Sequence, residues 1–340
     1  TQKPQAVIDA IVETYKKTNS NIHRGIHTLS QISTNLYEAA RKTVQSFIHA
    51  PHDYEIIFTK GVTESLNLVA QTFSEAFLEE GDEVIVSAME HHSNLVPWQI
   101  VCERHKAHLK FIPFNHDGVL DIEAYKNLFT EKTKFVSVVH VSNTLGTVNP
   151  IKTMIDIAHG HNVPIMIDGA QSVQHFPIDV QELDCDFFAF SGHKIYAPTG
   201  IGVLWGKEKW LEKLPPYQGG GDMIKTVTLE KTIYNDLPFK FEAGTTNYVG
   251  AHALGVALNY LTNLGMENIH SHEKDLMLYA TEKLSQIPYV TIIGNAPEKA
   301  GAISFEVDGA HSADIGMILD KQGIAIRTGT HCTEPIMQYY

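Results

Sequence analysis

The chain contains 340 residues, 43% of them hydrophobic, so it is long enough to bury a full core and to form two domains. Its formal net charge of -13 argues against a nucleic-acid partner, because phosphate contacts require clustered Lys and Arg. No apolar stretch approaches the length of a membrane span, and three scattered cysteines are too few for a disulfide framework. These properties predict a cytoplasmic protein that does not enter a membrane.

The first predicted element is an amphipathic helix near the amino-terminal end. Because this helix follows Thr1 almost directly, the sequence predicts no secretory leader. Its apolar residues recur at helical spacing, at Ala6, Val7, Ala10, Ile11 and Tyr15.

From residue 54 to about residue 210, short apolar runs alternate with helical patterns. Seven of these runs are candidate strands, and helix-length segments join most of them, as in a mostly parallel sheet with both faces covered. We therefore predict an α/β fold whose large domain contains a seven-stranded sheet. The predicted strands are 55–58, 83–86, 109–113, 135–141, 163–168, 186–190 and 201–205.

The first of these strands passes through Gly61 into a predicted helix that starts near Ser65. The free amides of such a helix start, together with Thr63, can receive an anion such as a phosphate. One glycine is a weak signal, and a plain connection between strand and helix is the better interpretation of this segment alone.

Asp168 ends the apolar run 163–168. Ligands of open α/β sheets bind at the carboxyl ends of the strands, and pyridoxal phosphate (PLP) needs an acid against its pyridinium nitrogen. The sequence therefore makes Asp168 a candidate for that acid. A helix N-cap is an equally good interpretation of Asp168 when it is considered alone.

Lys194 follows the apolar run 186–190 and lies in a short polar turn. A lysine delivered by an apolar strand is partly desolvated, which disfavours the ammonium form and leaves the amine able to bond to an aldehyde. An ordinary loop lysine is the alternative. The distance along the chain from Asp168 leaves room for one crossover and one strand, which favours a common site.

Beyond the loop 215–222, which contains two prolines and three glycines, the pattern changes. Helices are predicted at 251–264 and 271–285, and short strands at 290–293, 302–307 and 324–327, which indicate a smaller α+β domain. We predict a large domain of residues 15–249 and a small domain of residues 1–14 and 250–340.

The last predicted strand leads into a loop rich in Thr and Gly that presents Cys332. Arg327 and His331 supply neighbouring positive charge, which favours a reactive thiolate. An ordinary loop thiol is an equally good interpretation of Cys332 alone. Cys102, in a predicted helix, and Cys185, in a predicted strand, are expected to be small core residues.

The chain has 19 histidines, so a metal site must be considered. None of the close histidine pairs is accompanied by a third and a fourth ligand nearby. The sequence therefore predicts no metal site, and these histidines are expected to be solvated or hydrogen-bonded.

Taken together, these features resemble the PLP-dependent fold-type I enzymes of the class V aminotransferase group, and most closely the Suf-type cysteine desulfurases. The resemblance covers essentially the whole chain and implies the PLP-dependent transferase fold type I. It rests on motifs at 23–27, 61–64, 90–94, 142–143, 168–171, 191–194, 241–245 and 327–332.

By that resemblance, Lys194 forms the Schiff base with PLP and acts in catalysis. Asp168 pairs with the pyridine nitrogen, and Gln171 bonds the ring hydroxyl. His91 stacks on the ring and is also placed among the catalytic residues.

The resemblance also implies how the phosphate of PLP is held. Thr63, Ser191 and His193 contribute from one chain, and Thr245 contributes from the other subunit of a homodimer. The active site is then shared between two copies of the chain.

Substrate contacts are implied for His23, Arg327 and Asn143, and Asn143 also lies at the cofactor. Cys332 falls on the cysteine that accepts sulfur. The implied activity converts L-cysteine to L-alanine and leaves a persulfide on Cys332, which a SufE-like or SufU-like acceptor protein collects for iron-sulfur cluster assembly.

Three departures from the family pattern are visible. Thr330 stands where a histidine is usual, and Val62 stands where many relatives have a threonine. The arginine that binds the substrate carboxylate is expected beyond Tyr340.

A selenocysteine lyase or another β-eliminating PLP enzyme is the alternative within the enzyme class, and a low-turnover PLP-containing scaffold of sulfur transfer is the alternative outside it.

Overall fold

The computed structural model describes residues 2–23 and 25–340. Its α-helices are α1 (Gln5–Glu13), α2 (Thr28–Phe47), α3 (Val62–Phe77), α4 (His92–His105), α5 (Ile122–Leu128), α6 (Ile151–Gly160), α7 (Val180–Leu183), α8 (Glu208–Leu211), α9 (Tyr248–Leu264), α10 (Met266–Ser285), α11 (Ser312–Asp320) and α12 (Glu334–Tyr339). Its strands are β1 (Ile56–Thr59), β2 (Glu83–Ser87), β3 (His108–Ile112), β4 (Thr133–Val139), β5 (Ile165–Asp168), β6 (Phe187–Ser191), β7 (Gly202–Gly206), β8 (Ile224–Val227), β9 (Thr232–Tyr234), β10 (Val290–Ile293) and β11 (Ser304–Val307).

The main sheet contains seven strands in the order β1-β7-β6-β5-β4-β2-β3. Strands β6, β5, β4, β2 and β3 run parallel to one another, whereas β7 is antiparallel to both β1 and β6. All seven predicted strands are present, and each end lies within two residues of its predicted position. The predicted α/β class and the mostly parallel sheet are confirmed.

Both faces of the sheet are covered, which explains why its strands are continuous apolar runs. One hydrophobic cluster contains Val44 of α2, Leu254 of α9 and Ile85 of β2. The other contains Leu66 of α3 and Val84, the strand neighbour of Ile85. Successive side chains of a strand point to opposite faces, so each apolar run fills both clusters.

A buried ion pair joins α2 to the segment that precedes α9. Arg41 donates to Glu242 through two nitrogens, at 2.8 and 2.9 Å, and both side chains are almost completely buried. The Tyr37 hydroxyl (2.7 Å) and the Phe58 amide (2.8 Å) also donate to the Glu242 carboxylate. The carboxylate is therefore satisfied without water, as a buried charge requires.

The predicted loop at 215–222 contains no helix or strand. It leads to an exposed hairpin of β8 and β9, which the sequence analysis missed, and Leu229 at its tip is fully exposed. The chain then returns to the large sheet, where Glu242 meets Arg41. The hairpin was missed because its short strands are largely exposed and lack an apolar run.

The predicted helices 251–264 and 271–285 correspond to α9 and α10, and two short predicted strands correspond to the antiparallel pair β10 and β11. The strand predicted at 324–327 is wrong. That segment is exposed and pairs with no strand in the described part of the chain, and an apolar run alone cannot supply a pairing partner.

Two cysteines are buried, as predicted. Cys102 lies inside α4, and Cys185 lies just before β6 rather than within it. The predicted division of the chain near residue 250 stays a prediction. Within residues 2–23 and 25–340, no helix has the length and apolar character needed to cross a membrane.

We expect Arg41→Met to destabilise the chain by roughly 3–5 kcal/mol, because it leaves the Glu242 carboxylate buried without its cation. Lys126→Met is the matched control, since Lys126 pairs with Glu123 on the surface and such pairs contribute at most about 1 kcal/mol. Urea unfolding of the two variants measures both effects. Equal losses of stability would contradict a structural role for the buried pair.

Candidate active site

Four strands deliver polar residues to one edge of the sheet. Strand β5 ends at Asp168, and β6 ends at Ser191, which is followed by the short helical turn Gly192–Ile195 that carries Lys194. Glu90 and His91 follow β2, and Asn143 follows β4. Because these four strands are parallel, their carboxyl ends lie side by side.

A small cavity lies at this edge. Five of the predicted site residues line it, which brings together parts of the chain that lie up to about a hundred residues apart. The lining residues are Val62, His91, Ser93, Val139, Asn143, Asp168, Ala170, Gln171 and Lys194.

Asp168 and Lys194 form a partly desolvated pair of opposite charges. Burial raises the pKa of Asp168, whereas Lys194 and the amide of Ala170, which donates to Oδ1 at 2.9 Å, lower it. Burial also lowers the pKa of Lys194, Asp168 opposes this shift, and Arg327 adds to it. The amine is therefore more easily deprotonated than that of a solvated lysine, as a nucleophilic lysine requires.

His91 is held in a fixed orientation as the N-cap of α4. Its Nδ1 accepts from the amide of Ser93 at 3.1 Å, and the Ser93 hydroxyl lies 2.8 Å away. Burial lowers the pKa of His91 to about 4, and the nearby charges of Lys194, His92 and Arg327 act in the same direction. At neutral pH the ring is uncharged and can pack against an aromatic cofactor.

The start of α3 approaches β6 and β7 closely. The Ser191 hydroxyl accepts from the Val62 amide at 2.8 Å, so it lies at the first turn of the helix. A Cβ atom on Gly202 would lie 2.4 Å from the Gly61 Cα, and this close approach requires glycine at 202. Thr63 is exposed in the same turn and does not line the cavity.

Three further predicted residues also lie outside the cavity within this chain. His193 is exposed beside Lys194. His23 pairs with Glu38, with 3.2 Å between Nε2 and Oε1, and its ring packs edge-on against Phe239. Thr245 is exposed and borders a separate open groove of about 910 Å³ beside the first turn of α3.

Cys332 is half-buried, and its Sγ lies 3.5 Å from Nη2 of Arg327. His331 and Cys332 both have left-handed backbone angles, with φ of 53° and 60°, which cost about 1–3 kcal/mol each. The Asn143 side chain donates to the His331 carbonyl at 2.9 Å, and the His92 amide donates to the Cys332 carbonyl at 2.9 Å. The loop of the cysteine is therefore attached directly to residues beside the cavity.

The polar groups of the cavity fit an aldehyde cofactor with a basic ring nitrogen. Lys194 supplies an amine whose pKa burial lowers, and Asp168 supplies a carboxylate that can hold a ring proton. The Oδ1 atom of Asn143 is buried and has no hydrogen-bond partner among the described residues. Such an acceptor is available to a hydroxyl or ammonium group of a bound molecule.

Glu90, for which the sequence pattern indicated no role, is buried next to the cavity. Its carboxyl accepts from the Asn94 side chain (2.6 Å) and the Val139 amide (3.0 Å), and it also contacts the Ser87 hydroxyl. Burial raises the pKa of Glu90 to about 8 despite these hydrogen bonds, and the charge of Asp168 raises it further. Its position shortly after the buried strand β2 was the available signal.

A neutral Glu90 satisfies all three neighbours, because Oε1 can donate to the Ser87 hydroxyl while the carboxyl accepts from Asn94 and Val139. A glutamine would place its NH₂ group against another donor, at either Asn94 or Val139. The geometry therefore suits a carboxylic acid better than its amide.

The carboxyl of Glu90 is protonated up to about pH 8 in the folded chain but only up to about pH 4.5 in the unfolded chain. The unfolded chain thus binds fewer protons in this window, and the stability of the parent falls as the pH rises, by on the order of 1 kcal/mol per pH unit. We expect Glu90→Gln to be less stable than the parent near pH 5, with a difference that shrinks towards pH 8. Urea unfolding across this range measures it, with Glu123→Gln as the surface control, and a pH-independent difference would contradict the assignment.

Histidine, cysteine and acidic side chains are the usual protein ligands of transition-metal ions. No group of three or more of them in residues 2–23 and 25–340 is arranged to hold a metal ion.

The chain is similar to a known protein family and to two curated relatives that share one name, cysteine desulfurase. The family model described as "Aminotransferase class-V" matches residues 1–340. A "Probable cysteine desulfurase" of Halalkalibacterium halodurans is 48% identical over 99% of this chain and 83% of its own length. A "Cysteine desulfurase" of Escherichia coli O127:H6 is 48% identical over 100% of this chain and 84% of its own length.

Solved structures agree with these relatives. The apo structure of a cysteine desulfurase from Thermococcus onnurineus NA1 superposes with a TM-score of 0.96 and is 38% identical, covering 99% of this chain and 84% of that one. The match along residues 1–340, the shared fold and the lysine–aspartate cavity at the carboxyl edge of the sheet together show that the chain belongs to the class-V aminotransferase family of PLP-dependent enzymes.

Proposed function

We propose that this protein is a PLP-dependent cysteine desulfurase that converts L-cysteine to L-alanine and carries the removed sulfur as a persulfide on Cys332. One observation carries the proposal. Asn143 lines the cavity of Lys194 and Asp168, and the same side chain binds the backbone of the loop that presents Cys332. The names of the relatives at 48% identity agree with this activity.

When bound, PLP supplies an aldehyde for Lys194 and an electron-withdrawing pyridinium ring. Lys194 then moves the proton at the α-carbon of the substrate, a task that suits an amine whose pKa is lowered by burial. Asp168 holds the proton on the ring nitrogen, and the neutral ring of His91 packs over the cavity.

The remaining cavity residues orient the two bound molecules. We assign Gln171 to the ring hydroxyl, and Asn143 to the cofactor and the substrate. The phosphate is assigned to Ser191, Thr63 and His193. The contact between Ser191 and the amide of Val62 supports this assignment, because it lies at the anion-binding start of α3.

Cys332 completes the chemistry. Its thiolate attacks the substrate sulfur, the bond between the β-carbon and that sulfur breaks, and the electron pair of the broken bond goes to the carbon skeleton, which becomes alanine after protonation. Nη2 of Arg327 lies 3.5 Å from Sγ, so a guanidinium group stands beside the attacking sulfur. The product on the protein is a persulfide that a second protein can collect.

We propose that the active protein is a homodimer. Thr245 is exposed and lies outside the cavity within one chain, so its assigned phosphate contact requires Thr245 of the partner subunit. His23, to which a substrate contact is assigned, also lies outside the cavity of one chain and contacts Glu38 there. The proposed domains are residues 15–249 and residues 1–14 with 250–340.

We further propose that the protein works in the cytoplasm and passes sulfur to a SufE-like or SufU-like acceptor for iron-sulfur cluster assembly. The three free cysteines and the family of the relatives support this setting.

Lys194→Ala should abolish the visible absorbance of the bound cofactor that borohydride reduction removes from the parent, because the variant lacks the amine that bonds to the aldehyde. Absorbance spectra and peptide mapping of the reduced adduct measure this. Lys126→Ala, on the surface of α5, should retain the absorbance. A reduced adduct on another lysine would show that the assignment is wrong.

Cys332→Ala should keep the cofactor absorbance, because the cofactor contacts lie on other residues, but it should lose persulfide formation and alanine production from cysteine. Cys102→Ala and Cys185→Ala are the controls, since both thiols are buried away from the loop. Mass spectrometry after brief exposure to cysteine locates the added sulfur. Sulfur on Cys102 or Cys185 alone would refute the proposal.

A further inference from the structure

The two residues that follow Cys332 are fastened to loops beside the cavity. The Thr333 hydroxyl lies 2.7 Å from the hydroxyl of Thr144, which neighbours Asn143. The Glu334 carboxylate forms an ion pair with Nε2 of His92, which neighbours His91. We call these two contacts, Thr333 with Thr144 and Glu334 with His92, the Cys332 clasp.

The clasp lies where the loop changes from exposed to buried. Residues 321–330 are all exposed, whereas Thr333 is 0% exposed. Thr333 also donates to the carbonyl of Thr330 at 3.1 Å, so one buried side chain closes the loop on itself and ties it to the site. A hydroxyl in this position has a specific partner on each side, which a purely apolar residue could not provide.

The backbone at Cys332 needs such external restraint. His331 and Cys332 are consecutive residues with left-handed φ angles, a conformation that side chains other than glycine rarely adopt. The surrounding contacts must therefore hold it in place. Without them the two residues would relax towards ordinary angles, and Sγ would move with the backbone.

The ion pair of His92 and Glu334 is the outer half of the clasp. The Nε2 atom of His92 contacts the Glu334 carboxylate and also lies 3.3 Å from the Glu334 amide nitrogen. The amide of His92 donates to the Cys332 carbonyl, so one histidine contacts two consecutive peptide units of the loop. The contact spans the sequence from the start of α4 to the start of α12.

We propose that Thr333 and Glu334 are positioning residues that hold the Cys332 thiol at the mouth of the cavity. This inference rests on the proposed desulfurase function. Neither residue lines the cavity, so both act through Cys332 and leave the binding of cofactor and substrate unchanged. Their effect falls on the step in which the thiolate meets the substrate sulfur, since a displacement of about 1 Å can slow a reaction by on the order of a hundredfold.

The test uses the holoenzyme with Thr333→Val and Glu334→Gln combined, which removes the hydroxyl contact and the negative charge beside His92 while keeping side-chain size. Thr333→Ser keeps the hydroxyl and is the conservative rescue. Glu123→Gln is the matched surface control, because Glu123 pairs with Lys126 on the exposed surface of helix α5. Three quantities are measured: the alkylation rate of Cys332 by iodoacetamide at the peptide level, kcat and KM for cysteine, and the cofactor absorbance.

In the double variant we expect alkylation to become at least about threefold faster, because the loop is looser, and kcat to fall by on the order of tenfold. KM, the cofactor absorbance and the protection of Cys102 and Cys185 should stay as in the parent. Thr333→Ser and Glu123→Gln should behave like the parent.

Alkylation and kcat within about twofold of the parent in the double variant would overturn the proposal. A loss of cofactor absorbance, or alkylation of the buried cysteines, would also overturn it, since either shows a general structural role. Alkylation of Cys332 does not depend on turnover. If the parent releases no alanine from cysteine, the proposed function fails, and the alkylation rates still decide whether the clasp holds the loop.

Discussion

The candidate site depends on one geometric constraint, the common direction of β2, β4, β5 and β6. Hydrogen bonding between parallel strands places their carboxyl ends along one edge, so Asn143, Asp168 and Lys194 meet although they come from different connections. The register of Val139 opposite Asp168 shows how direct this alignment is. The hydrophobic clusters on both faces make the edge rigid, because side chains in a close-packed core cannot shift freely.

That rigidity allows the edge to hold polar groups in a desolvated setting. Asp168 and Glu90 are each at most 2% exposed, and in both cases burial raises the pKa of the carboxyl group. Burial lowers the pKa of the Lys194 amine. Groups whose pKa values are displaced by their surroundings are typical of catalytic sites, since proton transfer near neutral pH requires values close to the working pH. Here the same burial that shifts these pKa values also fixes the distances between the groups.

The Cys332 thiol is positioned by a different kind of contact. The loop of Cys332 belongs to no strand of the main sheet, and individual hydrogen bonds from side chains and from the His92 amide, rather than a strand ladder, attach it to the edge. Such contacts are individually modest, so they can hold a residue at a chosen place while a small loop around it stays accessible. The proposed function requires both properties of Cys332, because the thiol first attacks the substrate and then carries the sulfur as a persulfide.

The sequence by itself determined the elements and the chemistry of individual residues. Seven strands were readable because strands buried on both faces are continuous apolar runs, and Asp168 and Lys194 stood out because each lies at or just after the end of such a run. The sequence did not predict which distant segments pair with each other, because strand pairing depends on residues that lie outside the local sequence pattern. Only the tertiary structure showed that β7 is antiparallel, that residues 324–327 have no strand partner, that Glu90 lies beside Asp168, and that His23 and Thr245 lie outside the cavity of one chain.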